Sequence, residues 1–189
     1  MINHSDRTIL WALGFELGLG WIGLIVAWLT GLSLRSQINL TWTGLLQGLG
    51  ATLPMLGFLA AIIQSHWPPL VELRRQIDQL LGTLFRHHTL AELALVAIAA
   101  GVGEELLFRG VLQPLLQQWT QPMVAILSVG MLFGLAHAMS ATYFVLASLA
   151  GIYLGWLALA CGNLVPPMLA HGLYDFIALW YLRGVRSED

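Results

Sequence analysis

Lysine is absent from this chain, so all eight of its Lys+Arg residues are arginine, set against ten acidic residues in 189 positions. Charged residues make up 10% of the chain and hydrophobic ones 58%, where a soluble domain carries about 25% charge. That is too little polar surface to cover a water-facing globule. The chain therefore reads as an integral membrane protein, an all-α polytopic transmembrane helix bundle with about six spans. No basic run exists, and the net charge of −2 gives nucleic acid nothing to bind. The single cysteine, Cys161, excludes an internal disulfide and a Cys-only metal site, and its apolar surroundings read as packing. Familiar catalytic signatures are missing too. There is no G-x-S-x-G elbow, no H-E-x-x-H helix and no Gly-x-Gly-Asp run. Ser128, Ser140 and Ser148 have no such context and read as packing or helix-end residues.

Six apolar stretches approach the length of about 20 residues that a helix needs to cross a hydrocarbon core. They fall near 9–30, 43–63, 89–112, 122–139, 143–161 and 164–182. The first follows a short polar head and lacks a small-residue cleavage site, so it reads as a retained helix. Arg7, Arg74, Arg75, Arg86, Arg183 and Arg186 fall on one side of such a bundle and only Arg35 on the other. That asymmetry places both termini in the cytoplasm, and the plasma (inner) membrane is the expected location. Between the second and third spans, Leu70, Leu73, Ile77, Leu80, Leu81 and Leu84 recur at helical spacing among charged residues. The spacing predicts an amphipathic helix on the membrane surface. Trp42, Trp67 and Trp119 sit at span ends, where amphipathic rings prefer to lie. The pairs Gly14/Gly18, Gly44/Gly48, Gly130/Gly134 and Gly151/Gly155 are expected to let helices approach closely. His87 and His88 read as interfacial, and His4 and His66 as outside the core.

Ionisable side chains inside a span are costly, about 2.5–3.5 kcal/mol each at the helix centre. Three predicted spans nevertheless carry them: Glu104, Glu105 and Arg109; His137; His171 and Asp175. Glu105 and Arg109, four apart, share a helix face and are placed to pair. Glu104 is turned about 100° away and lacks a partner on its own helix. His171 and Asp175 also share a face. The economical arrangement is one pocket holding Glu104, His137, His171 and Asp175, braced by Glu105 and Arg109. A carboxylate without its own counter-ion beside imidazoles is a candidate general base. Two histidines and a carboxylate can hold a divalent metal, or position a water and stabilise an oxyanion. The alternative is a buried network that only fixes helix register. Glu16 is a lone carboxylate in the first span. It is near a helix end, or buried against a polar neighbour, or functional.

The run E-E-x-x-x-R at Glu104–Arg109, then F-x-x-x-H at Phe133–His137, then H-x-x-x-(N/D) at His171–Asp175 resembles the CPBP family of intramembrane proteases. That family includes the type II CAAX prenyl endopeptidases and bacteriocin-processing or immunity proteins. The resemblance covers about residues 89–182, and Phe108 and Gly110 fit the common extension of its first motif. By resemblance, Glu104 activates the water, supported by Glu105 and Arg109. His137 positions the water or a metal. His171 and Asp175 bind the oxyanion or complete a metal site. Many members carry Asn where this chain has Asp175. An ionised carboxylate cannot donate to an oxyanion, so Asp175 tilts toward metal binding or orienting His171. Two cofactor readings stay open: a divalent metal such as zinc held by His137, His171 and Asp175, or a metal-free mechanism.

On this reading, residues 1–63 form an accessory pair of spans, 64–88 an interfacial linker helix, 89–182 a catalytic four-helix core and 183–189 a polar tail. The expected function is an intramembrane endopeptidase with the lipid bilayer and a peptide or lipidated protein as its partners. The alternatives are a non-proteolytic immunity or scaffold protein and an ion-coupled carrier. An intact set of six polar residues favours the enzyme, and the carrier lacks the inverted repeat such proteins often show. One tension concerns depth. If the third span begins near 89, Glu104 lies roughly 22 Å along it, whereas His137 sits at one end of the next. A later helix start, a break or tilt near Gly101 and Gly103, or the opposite orientation would each reconcile the two.

Overall fold

The computed structural model describes residues 4–85 and 88–184, the side chains of 4–6, 83 and 182–184 excepted. Every regular element among them is helical: α1 (His4–Thr30), α2 (Leu34–Gln37), α3 (Trp42–Gln64), α4 (Pro68–Phe85), α5 (Leu90–Leu107), α6 (Gln113–Gln117), α7 (Pro122–Ala136), α8 (Ala141–Cys161) and α9 (Val165–Gly184). A π-helical turn, Phe108–Leu112, joins α5 to α6. Each of the six apolar stretches overlaps one of the longer helices. Within the described residues, the segments Arg7–Thr30, Trp42–Gln64 and Ala141–Cys161 are long and apolar enough to cross a membrane. The protein is an all-helical membrane protein.

Local chemistry sets the helix ends. Thr41 accepts a hydrogen bond from the Gly44 N–H and caps α3. Thr89 and Glu92 form a reciprocal capping box at the start of α5. Ser140 caps α8 through the Tyr143 N–H, and that helix ends on Gly162, whose φ of +57° suits the left-handed region open to glycine. Pro122 opens α7, and Pro166 and Pro167 lie in the first turn of α9, where a missing N–H costs nothing. Asn163 accepts from the Val165 and Asn39 N–H groups and donates to the Asn39 carbonyl. It thereby ties the start of α9 to the segment before α3.

The helices pack mainly as α1 on α5, α5 on α9, α3 on α9, and α7 on α8. The first two of these contacts are very close. A Cβ on Gly101 would stand 2.7 Å from the Met168 carbonyl and from the Gly172 N–H nitrogen of α9. A Cβ on Gly103 would collide with the Glu16 carbonyl of α1. These glycines are docking points for two neighbouring helices, and α5 runs through both without a break. The irregularity lies further on, in the π turn. On α1 the close contacts are made by Gly20 and Gly23, against Gly103 and Leu107. Gly14 and Gly18, expected to pack closely, have nothing within 4 Å.

α4 is the amphipathic helix read from the spacing of its leucines. Leu73 is fully buried, and α4 packs against α8 and α9. Arg74 reaches back to the Ile63 and Ser65 carbonyls and caps the end of α3. Arg75 and Gln76 hydrogen-bond Glu72 and hold its carboxyl down at about 2. His88 is buried against Phe85, with Glu92 at 3.6 Å. His87 lies outside the described residues.

Candidate active site

The π turn fixes the site's rigid half. An extra residue in this turn widens the helix around Arg109, a geometry often found at functional sites. The Arg109 guanidinium is buried and bonds three ways. Nη1 donates to Glu105 Oε1 at 2.6 Å, and Nη2 donates to the Gly151 carbonyl of α8 at 2.8 Å. The guanidinium carbon also lies 4.6 Å from the centre of the Phe133 ring of α7. One turn later, Gln113 donates to the Gly155 carbonyl at 3.0 Å. The pair Gly151 and Gly155 thus serves α8 both as a packing surface and as two carbonyl anchors for the segment carrying Arg109.

Glu105 is fully buried, and its Oε1 also accepts from His171 Nδ1 at 2.9 Å. The other ring nitrogen of His171, Nε2, lies 3.3 Å from Asp175 Oδ2. His171 therefore stands between two carboxylates, one from α5 and one from its own helix. This explains why a histidine is held inside the bundle in one orientation.

Glu104 points from α5 toward the end of α7. That helix has 15 residues, about 22 Å at 1.5 Å per residue. It stops at Ala136, so His137 sits just past the end of a short helix. The His137 Nδ1–H donates to the Phe133 carbonyl at 2.8 Å, and the ring stacks on Phe133 at 4.4 Å between centres. This leaves Nε2 facing Glu104 Oε2 at 3.7 Å. Glu104 is buried and its Oε2 has no hydrogen-bond partner.

The structure thus brings Glu104, Glu105, Arg109, His137, His171 and Asp175 around one polar interior. Three residues join them that the sequence reading left without a role. Phe133 touches Arg109, His137 and His171. Tyr143, on α8, presents its ring to His137. Glu16, on α1, turns its carboxyl toward that of Glu104. Its charge inside a span was the only sequence signal for Glu16. Nothing in the sequence marked Tyr143, since an aromatic residue early in an apolar helix is ordinary. Within the described residues, no group of three or more His, Cys, Asp or Glu side chains is arranged to hold a metal ion. The expected metal set of His137, His171 and Asp175 is not such a group here: both His171 nitrogens face carboxylates, and His137 Nδ1 faces a carbonyl.

Chemically, the arrangement offers one carboxylate with a free oxygen beside an imidazole, and a second carboxylate locked by a cation. No curated protein and no solved structure matches the chain. Residues 86–177 match the family described as type II CAAX prenyl endopeptidase Rce1-like. That segment, just under half of the chain, holds all six of the residues gathered from α5, the π turn, α7 and α9, and its match supports a CPBP-type intramembrane protease.

Proposed function

We propose that this protein is an intramembrane endopeptidase that hydrolyses peptide bonds of membrane-associated peptides or prenylated proteins, using a water activated by Glu104. The observation that carries this reading is the 3.7 Å separation of Glu104 Oε2 and His137 Nε2. It is too long for a direct hydrogen bond and suits two groups holding one water between them. Glu104 takes the proton of that water as it attacks the carbonyl carbon, and returns it to the amine nitrogen as the C–N bond breaks. His137, whose Nδ1–H is committed to Phe133, presents Nε2 to orient the water. His171, held between Glu105 and Asp175, places positive charge where the oxyanion develops. Glu105 and Arg109 are the frame that keeps this geometry. In this proposal all six apolar helices cross the bilayer and both termini are cytoplasmic.

The test is cleavage of a farnesylated, internally quenched peptide by purified protein in detergent or vesicles. Glu104→Gln keeps the shape of the side chain but cannot accept the water's proton. Turnover should fall about 10²- to 10⁴-fold while folding is retained, since a neutral amide is cheaper to bury than a carboxylate. A folded Glu104→Gln protein with the parent's turnover refutes the proposal. Chelator decides the cofactor: loss of activity restored by zinc would place a metal in the mechanism, and unchanged activity supports the metal-free water.

A further inference from the structure

Glu16 belongs to α1, far outside the family segment at residues 86–177, and is the one charged side chain of that helix's apolar stretch, residues 9–30. Its position is fixed by backbone and not by chance. The Gly103 Cα packs against α1 so closely that an added Cβ would strike the Glu16 carbonyl, and an added Cβ on Gly20 would meet the Gly103 Cα at 3.3 Å. The residue next to Gly103 on α5 is Glu104, so this backbone contact brings the carboxyls of Glu16 and Glu104 to face each other. The charged groups that act on Glu16 are Glu104 from α5, first, and then Asp175 and His171 from α9. Each of the two glutamates keeps one buried oxygen, Oε2, without a hydrogen-bond partner.

Two carboxylates in contact and out of water repel strongly, and such pairs keep one proton between them. His137 Nε2 stands 3.7 Å from Glu104 Oε2, and a water that donates to both keeps Glu104 ionised and leaves the proton on Glu16. A proton on the other member turns an acceptor–acceptor contact into a hydrogen bond. A leucine at position 16 would be cheaper in lipid, so the carboxyl calls for a use.

We propose that Glu16 is a positioning residue for the general base: its protonated carboxyl donates a hydrogen bond to Glu104 and orients the carboxylate toward the water shared with His137. This rests on the reading of Glu104 as the base. It also gives α1 a part in the chemistry, because the helix delivers a side chain to the site.

The experiment compares Glu16→Gln and Glu16→Met in the farnesylated-peptide assay, with Glu104→Gln alongside. Glutamine keeps a donor at the same reach, whereas methionine keeps the length and removes it. Misdirecting a base by about 1 Å costs up to about 100-fold. Glu16→Met should therefore lower kcat about 10- to 100-fold with KM unchanged, and Glu16→Gln should recover to within about threefold of the parent. Rates are normalised to protein that elutes as folded monodisperse particles, and Glu16→Ala serves as a second donor-free variant if methionine reduces yield. Parental kcat in Glu16→Met or Glu16→Ala overturns the proposal. So does an equal loss in Glu16→Gln, which would mean a steric role. An active Glu104→Gln instead sinks the underlying reading. An inactive Glu104→Gln beside a fully active Glu16→Met sinks only the role of Glu16.

Discussion

Replacing Arg109 with alanine tests whether the buried ion pair frames the site. The guanidinium is 1% exposed and Glu105 is 0% exposed. Removing it deletes the 2.6 Å contact to Glu105, the 2.8 Å bond to the Gly151 carbonyl and the contact with Phe133. Breaking a buried pair by removing one partner costs about 3–5 kcal/mol. The lost bond from a charged donor adds about 1–3 kcal/mol where its acceptor stays unsatisfied. Glu105 retains His171 at 2.9 Å, so its charge is not wholly abandoned, and these terms overlap. A net loss of about 3–5 kcal/mol is expected, equivalent to a fall in Tm of about 6–20 °C for a chain of this size. Thermal unfolding in detergent, followed by circular dichroism or intrinsic tryptophan fluorescence, reads it directly. Adding Glu105→Gln to Arg109→Ala should return part of the loss, because a neutral amide no longer needs the cation. Parental Tm and turnover in Arg109→Ala would refute the reasoning. So would a double variant that is less stable than the single one by the full cost of Glu105→Gln alone, which would show that the two side chains do not interact.

Two further outcomes follow from the same geometry. Asp175→Asn keeps an oxygen acceptor for His171 Nε2, now 3.3 Å from the carboxylate, so cleavage should stay within about tenfold of the parent, whereas Asp175→Ala should lose about 10- to 100-fold through misorientation of the ring; equal rates in the two variants would show that Asp175 does not orient His171. Gly101→Ala pushes a methyl group to 2.7 Å from backbone atoms of Met168 and Gly172, an overpacking cost of about 1–3 kcal/mol, visible as a lower Tm in the same detergent; an unchanged Tm would mean that α5 and α9 can separate there freely.

Composition determined that this protein lives in a membrane, because a chain with 10% charge cannot face water, and apolar stretches near 20 residues determined that it is helical, because lipid leaves the backbone only helices or closed barrels and barrel strands are far shorter. Spacing determined which ionisable residues share a face: the i, i+4 relation puts Arg109 under Glu105 and Asp175 under His171. The cost of charge in lipid pointed the rest inward without saying toward what. Partners across helices were beyond reach of the sequence. That His171 bonds Glu105 while His137 faces Glu104 depends on how α5, α7 and α9 are rotated about their axes, which the glycine contacts fix at distances only a folded bundle reveals. The π turn was equally hidden, since one extra residue in a helix leaves no periodic mark over five positions. A break or tilt near Gly101 and Gly103 was one of three ways to reconcile the depths, since glycine weakens isolated helices. In the fold their missing side chains let α9 and α1 approach. Glu16 shows the same division. Its charge was legible as an anomaly in an apolar helix, but only the crossing of α1 over Gly103 brings that carboxyl to Glu104, because tertiary packing decides which face of a helix meets which neighbour.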